Sequence, residues 1–527
     1  MTLDKHDVIV IGGGHNGLIV AAYLAKAGLD VCILEAHSKV GGGVITSEVI
    51  LPGFRFDLAS SVHYMIQGNP LIRDDELGLK SRYGLKYINP DRVAAFVFPD
   101  DSALVFYRDI NKTCQSIARF SRRDAEAYPD FCRASAQIFK AGRMAMRAAP
   151  PPMGRLVSFL DGSEEGQEYW RVFLSSCKDV VEEWFESEQM KAATYRFATD
   201  YMISPRVYET GLSAFSSLAY IQNQGLALPV GGSGALSEAL ASCVRDNGGT
   251  IRVSTRVMAI KTEDGEAKGV VLDSGQEIKA AKAIVSNVNV KQLFLEMLRP
   301  DDLPTGFQKK VKRLRHSQYS YFNYHVALNE PPKYKAGGDV DGISIVAIVP
   351  FAEELLRLLD DCTYGVPTAG TPFVVVSSLE DSTRAPKGKH TMSLFHPAPY
   401  NLKEGGPARW DEVKQEVGSR ILEVVKQHTT NLGSENILAG SVMSPLDLER
   451  YNPAMIEGDI THIAHVLSQN FSHRPLPGWG QYRTPLKKLY MCGASTHPGG
   501  GVTGSGRIAV QAVMEDLGMD FGKLVAK

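Results

Sequence analysis

Apolar residues near the start of the chain fall into runs that predict regular structure. Positions 8–11 are consecutive apolar residues, a pattern typical of a buried parallel strand. Positions 18–26 follow with the composition of a helix that Gly28 can end. A second apolar run at 31–34 stops at Glu35. These runs predict a strand, a helix and a second strand, which together begin a doubly wound α/β fold.

The far end of the chain has a similar order of elements. Residues 490–512, YMCGASTHPGGGVTGSGRIAVQA, predict a strand, a glycine-rich loop and the start of a helix. Between the two ends, residues 164–202 have helical periodicity, and the breaker AAPPPMG precedes them. Farther on, strand-like runs such as GISIVAIVPF occur beside a helical pattern at 409–428. The middle of the chain therefore predicts an α+β region.

Composition excludes several classes of protein. The 527 residues are 44% apolar and 22% charged, which is ordinary for a globular chain of roughly two or three domains. Lysine plus arginine (57) nearly balance aspartate plus glutamate (59), so the formal charge of -2 supplies no field that would attract nucleic acid. A nucleic-acid partner is therefore not expected.

Cysteine spacing and hydropathy bear on location. The seven cysteines are scattered and form no C-x-x-C pair, so neither a disulfide framework nor a dithiol redox centre is expected. The start MTLDKHD lacks the features of a signal or transit peptide, and no run reaches the roughly 18 to 20 apolar residues that span a bilayer. The expected location is the cytoplasm. The basic run KKVKRLRH at 309–316 is interpreted as a solvated helix face, with contact to anionic lipid at a membrane surface or to an acidic partner as the alternatives.

The first glycine loop carries the chemistry of dinucleotide binding. Gly12 permits a tight turn after the strand, Gly14 lets backbone amides approach a pyrophosphate, and Gly17 allows close packing of helix on strand. The positive end of the helix dipole faces the phosphates. Glu35, which ends the second strand, is suited to accept hydrogen bonds from a ribose diol. The motif predicts a bound dinucleotide but does not by itself separate NAD from FAD.

A glycine doublet that follows Glu35 favours FAD over NAD, because it resembles a motif of a known FAD-binding superfamily. Glu35 followed by Gly41 and Gly42 resembles the FAD-binding superfamily that includes amine oxidases, phytoene desaturases and the Rab GDP-dissociation inhibitors. The resemblance implies that the doublet lies along the flavin's pyrophosphate and ribityl chain, and that Val257 meets the adenine through its backbone. Many members have arginine directly after the doublet, whereas this chain has Gly43, which removes one expected cationic contact.

A second glycine cluster is not expected to hold another nucleotide. Gly231, Gly232 and Gly234 have no clean preceding strand because Pro229 interrupts it, and no acid ends the following strand at 251–253. A dedicated NAD(P) domain is therefore not expected, and FAD is the predicted cofactor.

The C-terminal segment GASTHPGGG resembles most closely the phytoene desaturase branch of the superfamily. The resemblance implies a strand at 489–492, a turn at Gly493 and a loop at 499–504. It also implies that the helix after this loop, at 507–517, points at the ribityl and pyrimidine end of the flavin. It covers nearly the whole chain, with strong motifs at both ends. The cofactor-binding residues predicted in all are Gly12, Gly14, Gly17, Glu35, Gly41, Gly42, Val257, Gly493, Gly500, Gly501 and Val502.

Three FAD-binding blocks separated by long inserts imply a discontinuous domain. The fold class predicted is α/β, with a Rossmann-like FAD-binding domain assembled from residues 1–75, 225–292 and 482–527. The inserts at 76–224 and 293–481 are predicted to form an α+β substrate or cap domain.

Candidate catalytic residues are few, because a flavin carries the redox step and the protein positions substrate and manages a proton. His497 lies in the loop expected to border the flavin, and imidazole titrates near neutrality, so it is the first candidate acid, base or orienting group. His63 and Tyr64 are further candidates, and Asp459 is a weaker candidate base. His462 and His465 have a spacing that suits a metal on a helix, but no third ligand is nearby and no metal is expected.

The resemblance implies an FAD-dependent oxidoreductase of the desaturase or dehydrogenase type. The expected reaction forms or isomerises a carbon–carbon double bond in a largely apolar or alicyclic small molecule, with oxygen, a quinone or another carrier as electron acceptor. A flavin amine or alcohol oxidase is the enzymatic alternative. A non-catalytic binding protein, as the Rab inhibitors are, is the alternative from another class.

Overall fold

A computed structural model describes residues 4–145, 148–216 and 218–526 of the chain. Two sheets organise these residues, and each sheet has seven strands. The strands of the first sheet, in spatial order, are Val257–Glu263, Glu266–Leu272, Glu277–Ser286, Lys5–Ile11, Val31–Leu34 and Thr250–Arg252, with Leu489–Met491 also paired to Glu277–Ser286.

The long strand Glu277–Ser286 gives the first sheet its mixed character. Its residues 279–286 pair in parallel with Lys5–Ile11, and its last three residues also pair in parallel with Leu489–Met491. Its first half pairs in antiparallel fashion with Glu266–Leu272. The carboxyl ends of the parallel strands therefore meet at one edge of the sheet, which is where doubly wound folds bind ligands.

The apolar run at the start of the chain forms a strand because both faces of this sheet are covered. Val8 and Val10 pack into a core shared with the helices on one face, whereas Ile9 and Ile11 pack into a separate core on the other. All four side chains are at most 3% exposed. A strand buried on both faces has no polar alternation, which explains the continuous run.

One face of the first sheet carries three helices. His15–Lys26 lies beside Gly234–Asp246 and Gly506–Asp516, and all three contribute to the same apolar core. The helix His15–Lys26 begins earlier than the predicted position 18. The polar residues His15 and Asn16, which precede the apolar stripe, are already part of it. The C-terminal helix, expected at 507–517, runs from Gly506 to Asp516.

The second sheet is largely antiparallel. Its strands, in spatial order, are Ile437–Met443, Ser320–Leu328, His390–Ala398, Phe373–Val375, Ile345–Ile348, Arg92–Val97 and Ala103–Tyr107. Only the pair of Ile345–Ile348 with Arg92–Val97 is parallel among the pairings described. Two short ladders, Thr46–Ser47 with Phe56–Asp57 and Tyr87–Ile88 with Leu228–Pro229, complete the strands.

Helices cover the second sheet and connect the two sheets. The helical pattern expected at 164–202 is broken into three helices by serine caps at Ser163, Ser176 and Ser187, each of which accepts a backbone N–H with its side chain. No helix in the described parts of the chain is long and apolar enough to cross a bilayer. The helices not yet given are Pro70–Arg73, Ile110–Ala118, Arg122–Ala145, Met153–Asp161, Glu164–Leu174, Cys177–Trp184, Glu188–Ala198, Leu212–Phe215, Leu218–Gln224, Phe307–Lys312, Ala352–Thr363, Trp410–Gln427, Pro445–Tyr451 and Phe521–Val525.

The fold class is α/β with a Rossmann-like sheet, as the sequence indicated. Every strand of the first sheet lies within the predicted cofactor segments, and every strand of the second lies within the predicted inserts. The exact domain boundaries, at 75/76, 224/225, 292/293 and 481/482, stay a proposal.

Candidate functional site

The two glycine loops of the sequence meet at the carboxyl edge of the first sheet. Lys5–Ile11 and Leu489–Met491 both run parallel to Glu277–Ser286. The loops that follow Lys5–Ile11 and Leu489–Met491 therefore leave the sheet at the same edge. Between these loops lies a cavity, here called the loop cavity. Its described lining includes Gly12, Gly14, His15, Asn16, Glu35, His37, Lys39, Gly42, Gly43, Arg256, Val257, Asn287, the segment 451–455, His462, Gly501 and Val502.

The first glycine loop leaves no room for side chains. A Cβ at Gly17 would lie 2.3 Å from the carbonyl oxygen of Gly12, so Gly17 serves packing and does not line the cavity. Gly12 has a φ of +92°, which a residue with a side chain adopts rarely. Gly14 is the N-cap of the helix and no side chain caps it, so the amides of the first turn face the loop cavity.

Glu35 is held at the end of its strand by two backbone amides. Its Oε2 accepts a hydrogen bond from the N–H of Gly13 at 2.6 Å, and its Oε1 accepts one from the N–H of His37 at 2.7 Å. Each carboxylate oxygen has further lone pairs. The carboxylate therefore stays fixed at the rim of the loop cavity and can still accept hydrogen bonds from a ligand.

The glycine doublet lies directly against the first loop. The N–H of Gly41 donates to the carbonyl of Gly13 at 2.8 Å, and a Cβ at Gly42 would lie 3.2 Å from the Cα of Gly14. Gly42 lines the loop cavity, whereas Gly41 positions it. At Gly43, where many relatives have arginine, a Cβ would lie 3.0 Å from the Cε of Met455.

The C-terminal loop is tied to the first loop by side chains that were not among the candidates from sequence. His15 hydrogen-bonds to the backbone of Gly501, and burial lowers its pKa to about 4, so the imidazole is neutral. The Oδ1 of Asn16 accepts from the N–H of Gly506 at 3.0 Å. The Nδ2 of Asn69 donates to the carbonyl of Thr503 at 3.1 Å. These contacts hold Gly501 and Val502 against the cavity.

The walls of the loop cavity fit a dinucleotide. The amides at the helix start suit a pyrophosphate, Glu35 suits a ribose diol, and the close Gly14–Gly42 contact leaves a groove with no side chain to obstruct it. Lys39 and Arg256 also line the cavity. These two cations place positive charge at the cavity. At position 43, where many relatives have arginine, this chain has glycine and supplies no charge.

A second cavity, here called the apolar chamber, adjoins the first. Ala59, Ser60, Ile460, Gly501 and Val502 line both cavities, so the two are direct neighbours. The rest of the chamber lining comes from strands of the second sheet and from helices and loops around them. Its apolar lining includes Val62, Met65, Phe197, Leu226, Ile345, Phe373, Val375, Phe395 and Leu448.

One wall of the apolar chamber carries a compensated acid. The Oδ1 of Asp200 accepts a hydrogen bond from the hydroxyl of Tyr321 at 2.5 Å and lies 3.6 Å from Nη1 of Arg196. Arg196 is fully buried, and its guanidinium also lies 3.8 Å from the ring centre of Phe373. Burial raises the pKa of Asp200 and opposes the lowering influence of Arg196 and Tyr321.

His465 is the histidine that reaches the chamber. Its Nε2 accepts a hydrogen bond from the N–H of Gly500 at 3.1 Å, and its ring packs edge-on against Tyr201 at 5.5 Å. Burial, together with the nearby Arg474, holds its pKa well below the usual value, so the ring is neutral. Arg474 is itself fully buried and donates to the backbone carbonyls of the surrounding loops, Ala494 among them. It fixes the loop on which His465 sits.

The structure places the predicted catalytic residues in different surroundings. Tyr64 lines the apolar chamber. The side chain of His63 is buried and hydrogen-bonds to Ser233 and Tyr87, away from both cavities. His497 is 4% exposed, lines neither cavity, and has its carbonyl bonded by the hydroxyl of Tyr482. The catalytic roles of His63 and His497 stay predictions, and the geometry favours His465 over both for contact with a substrate.

The remaining predicted cofactor residues divide in the same way. Gly12, Gly14, Glu35, Gly42, Val257, Gly501 and Val502 line the loop cavity, and Gly500 lines the chamber. Gly17, Gly41 and Gly493 line neither. A Cβ at Gly493 would lie 2.3 Å from Oδ1 of Asn287, so this glycine allows a close approach of the loop.

The candidate metal pair and the candidate base take structural roles. The segment that holds His462 and His465 is not helical, and His462 has a φ of +67°. The Nδ1 of His462 hydrogen-bonds to Ser495. Asp459 is 1% exposed and accepts hydrogen bonds from Thr461 and Ser317. The described residues contain no group of three metal-ligating side chains.

Some site residues that were not among the candidates from sequence have a position in the sequence that could have identified them. His15 and Asn16 belong to the glycine motif itself, and Asn287 follows a parallel strand, where ligand sites of this fold occur. Asp200, Arg196 and the segment 451–455 carried none, because they lie far from the motifs in sequence.

Comparison with known proteins agrees with this geometry. The family model described as flavin containing amine oxidoreductase matches residues 17–514. Pyridine nucleotide-disulfide oxidoreductase domain-containing protein 2 of Rattus norvegicus is 30% identical over 97% of this chain and 94% of that protein. The motif GASTHPGGG resembles this protein especially, and the full-length match confirms the resemblance.

Other relatives and solved structures extend the match. One of the limonene dehydrogenase polypeptides of Castellaniella defragrans is 28% identical over 98% of this chain and 95% of that protein. Phytoene desaturase (lycopene-forming) of Pantoea ananas is 25% identical over 96% of this chain and 99% of that protein. An oxidoreductase from Methanosarcina mazei has a TM-score of 0.61 at 17% identity, covering 97% of this chain and 100% of its own. Cyclohexylamine oxidase from Brevibacterium oxydans has a TM-score of 0.60 at 17% identity, covering 98% and 100%.

Proposed function

The chain belongs to the flavin-containing amine oxidoreductase family, and from that premise we propose that this FAD-dependent oxidoreductase is a dehydrogenase of apolar or alicyclic molecules. The reaction proposed forms a carbon–carbon double bond. Saturation and isomerisation use the same frame and remain the alternatives in direction. The relatives named for limonene dehydrogenation and phytoene desaturation support this choice.

The observation that carries the proposal is that the apolar chamber lies directly beside the loop cavity and shares lining residues with it. The residues shared by the loop cavity and the apolar chamber include Ala59, Ile460 and Val502, which are themselves small or apolar. A hydrocarbon skeleton in the chamber would be in contact with aliphatic and aromatic side chains such as Phe395 and Leu448. Burial of apolar surface supplies about 25 cal/mol per Å², so such walls favour an apolar ligand.

The residues of the loop cavity would hold FAD. The amides that follow Gly14 would bind the pyrophosphate, and Glu35 would bind the ribose of the adenosine. Bound FAD supplies a hydride acceptor. The chain's own part is to exclude water with the chamber walls, to orient the substrate, and to take up one proton.

The proton has a candidate acceptor in Asp200. Its Oδ2 makes no hydrogen bond among the described residues, and the residue lines the chamber. Because burial raises its pKa, this carboxylate is a stronger base than a solvent-exposed aspartate and accepts a proton more readily. His465 is less suited to accept a proton, because burial lowers its pKa.

A flavin amine oxidase is the rival that the family keeps open. The carboxylate of Asp200 would attract an ammonium group, but Arg196 at 3.6 Å and the Tyr321 hydroxyl already compensate its charge. The geometry therefore favours a neutral substrate. A non-catalytic role is not proposed, because the chain matches the flavin containing amine oxidoreductase family and its relatives include proteins named as a limonene dehydrogenase and a phytoene desaturase.

Anaerobic reduction of the bound flavin tests the proposal. Loaded enzyme is mixed with cyclic terpenes, cyclic ketones, cycloalkenes, cyclohexylamine and putrescine, and loss of flavin absorbance is followed. We expect bleaching with terpenes, ketones or cycloalkenes and a new double bond in the product. Bleaching by the two amines alone, with imine or aldehyde as product, would show an amine oxidase instead.

The electron acceptor is tested on the reduced enzyme. Oxygen, a soluble quinone and a one-electron carrier are mixed separately with photoreduced protein, and the return of flavin absorbance is timed. The acceptor that restores absorbance fastest at equal concentration is assigned as the physiological class.

A further inference from the structure

The apolar chamber contains one cluster of polar side chains. Asp200, Tyr321, Tyr64 and Tyr201 all line it, and each of the other three influences the titration of Tyr64 through space, so the four lie close together. A chamber meant for a pure hydrocarbon has no use for such a cluster, because buried polar groups without partners cost about 1 to 3 kcal/mol each.

Asp200 presents one free oxygen to the chamber. Tyr321 and Arg196 both approach Oδ1, and Oδ2 has no hydrogen-bond partner among the residues described. Oδ2 is also not among the fully buried polar atoms without a partner in the described residues, so this oxygen is accessible. The free oxygen therefore faces the open space that the residue lines.

Tyr64 lines the same chamber and has a hydroxyl without a hydrogen-bond partner among the described residues. Its ring packs on Tyr220 at 5.9 Å. Burial and the neighbouring Asp200 and tyrosines raise the pKa of this phenol well above its usual value, so it stays protonated. The hydroxyl can donate one hydrogen bond and accept another.

A further donor comes from His465. Because Nε2 accepts from the N–H of Gly500, a neutral ring carries its proton on Nδ1. Nδ1 has no partner among the described residues, and the ring lines the chamber. The same chamber thus offers an acceptor at Asp200 and donors at Tyr64 and His465.

The electrostatics of the cluster select a neutral ligand group. Arg196 lies 3.6 Å from Asp200 and balances its charge, so an ammonium group gains little from this carboxylate. A carboxylate would face Asp200, and the guanidinium of Arg196 is committed to Thr371, Thr199 and Phe395 as well. A hydroxyl satisfies all three free groups without importing charge, because it can donate to Asp200 and accept from Tyr64 and His465, whereas a carbonyl oxygen can accept from the two donors only.

We propose that Asp200, Tyr64 and His465 form a station that binds one neutral oxygen substituent of an otherwise apolar substrate. The substrate class is then an alicyclic alcohol, and neither a plain hydrocarbon nor an amine. This inference rests on the proposed function, since it assigns the substrate class of the same chamber.

Four ligands on one ring skeleton test the station. Limonene carries a methyl group where perillyl alcohol carries a hydroxymethyl, perillylamine an aminomethyl and perillic acid a carboxylate. Their binding to FAD-loaded enzyme is measured by calorimetry, without an electron acceptor. We expect perillyl alcohol to bind at least about tenfold more tightly than the other three, since one satisfied buried hydrogen-bonding group is worth roughly that factor.

Single variants locate the effect. Tyr64→Phe removes one hydroxyl and should cut alcohol binding about fivefold while limonene binding changes less than about twofold. Asp200→Asn leaves Arg196 uncompensated, so perillic acid should gain at least about tenfold and overtake the alcohol. Tyr334→Phe is the matched control, because this buried tyrosine lies outside both cavities and its hydroxyl has no partner among the described residues.

The outcomes separate this inference from the proposed function. Equal binding of the four ligands, or Tyr64→Phe affecting limonene and alcohol alike, would overturn the station while flavin reduction by apolar substrates still stood. Failure of all four to bind would overturn the station, and the flavin-reduction panel would then decide the proposed function separately. If Asp200→Asn does not fold, the ligand series with Tyr64→Phe decides alone, because that variant removes no charge.

Discussion

The loop cavity and the apolar chamber are neighbours built by different means. The loop cavity takes its shape from backbone, at glycines such as Gly14 and Gly42 that lie within short motifs. The chamber takes its shape from side chains that lie far apart in sequence, from Ala59 to Val502. A backbone site tolerates few changes and defines the cofactor, whereas a side-chain site can change its ligand by substitution. The contrast predicts that substitutions in the two regions have separable effects.

The largest effect is expected at Gly17. Gly17→Ala would bring a Cβ to 2.3 Å from the carbonyl of Gly12, which forces the helix away from its strand. We expect FAD affinity, measured by titration of apoprotein, to fall by more than about a hundredfold, with about 1 to 3 kcal/mol lost from the free energy of unfolding.

The matched control for Gly17→Ala is Gly154→Ala. Gly154 lies in the helix Met153–Asp161, and a Cβ there would meet nothing within 4 Å. This change should leave FAD affinity unchanged. Equal FAD affinity of Gly17→Ala and the wild type would mean that the cofactor lies elsewhere.

A smaller loss is expected at Glu35. Glu35→Gln keeps the shape of the side chain but replaces a carboxylate that accepts from Gly13 and His37 with an amide. Charge-assisted hydrogen bonds contribute about 1.5 to 3 kcal/mol, so FAD should bind roughly tenfold to a hundredfold more weakly. The exposed change Glu404→Gln serves as the control, and tight FAD binding by Glu35→Gln would count against the ribose assignment.

Substitution within the chamber should affect substrate and spare the cofactor. Leu448→Trp adds bulk to a wall of the chamber that lines no part of the loop cavity. We expect the rate of flavin reduction per substrate concentration to fall about tenfold for a ten-carbon ring, while FAD affinity changes less than about twofold. A matching loss of FAD affinity would break the separation between the two regions.

His465 and His497 provide a more delicate test of the chamber. His465 lines it and His497 does not, so His465→Gln should lower kcat/KM about fivefold, and His497→Gln less than about twofold. The reductive half-reaction measures both. A larger loss for His497→Gln would favour the role that the sequence predicts for it and would require a different arrangement of the loop.

The smallest effect concerns acid stability and should be alike at the loop cavity and in the second sheet. Burial lowers the pKa of His462, beside the loop cavity, to about 4 and that of His396, in the second sheet, to about 3. A histidine with a folded pKa below the unfolded value of about 6.5 binds its proton only after unfolding, so stability falls as pH drops below 6.5.

The pH dependence is measured by denaturant unfolding at pH 7.5 and pH 6. Each of these histidines should cost roughly 0.8 kcal/mol at pH 6, and His396→Gln should remove that share of the dependence. His6 would be a poor control because it is largely buried and contacts Asp4 and Asp30, so His37→Gln, at an exposed position, is preferred. An unchanged slope in His396→Gln would indicate that this imidazole is already protonated in the folded protein.

The sequence by itself determined the cofactor-binding half of the protein. The strands at 8–11 and 31–34, the helix that follows Gly12, and the acid at Glu35 are local features whose spacing fixes the geometry of a backbone loop. The doublet at Gly41 and Gly42 and the C-terminal loop added FAD by resemblance, and the family match supports that cofactor. Local sequence is enough here because the groups that bind are backbone amides, whose positions follow from the turn and helix that carry them.

Only the tertiary structure decided which side chains meet in the chamber. Asp200, Tyr321 and Arg196 are brought together from a helix end and a strand more than a hundred residues away, and nothing in their spacing indicates it. His497 is adjacent in sequence to the cavity-lining loop but is turned into the core, whereas His465 reaches the chamber from a buried loop held by Arg474. Which face a loop side chain takes depends on the packing of distant segments, and that information is absent from any local pattern.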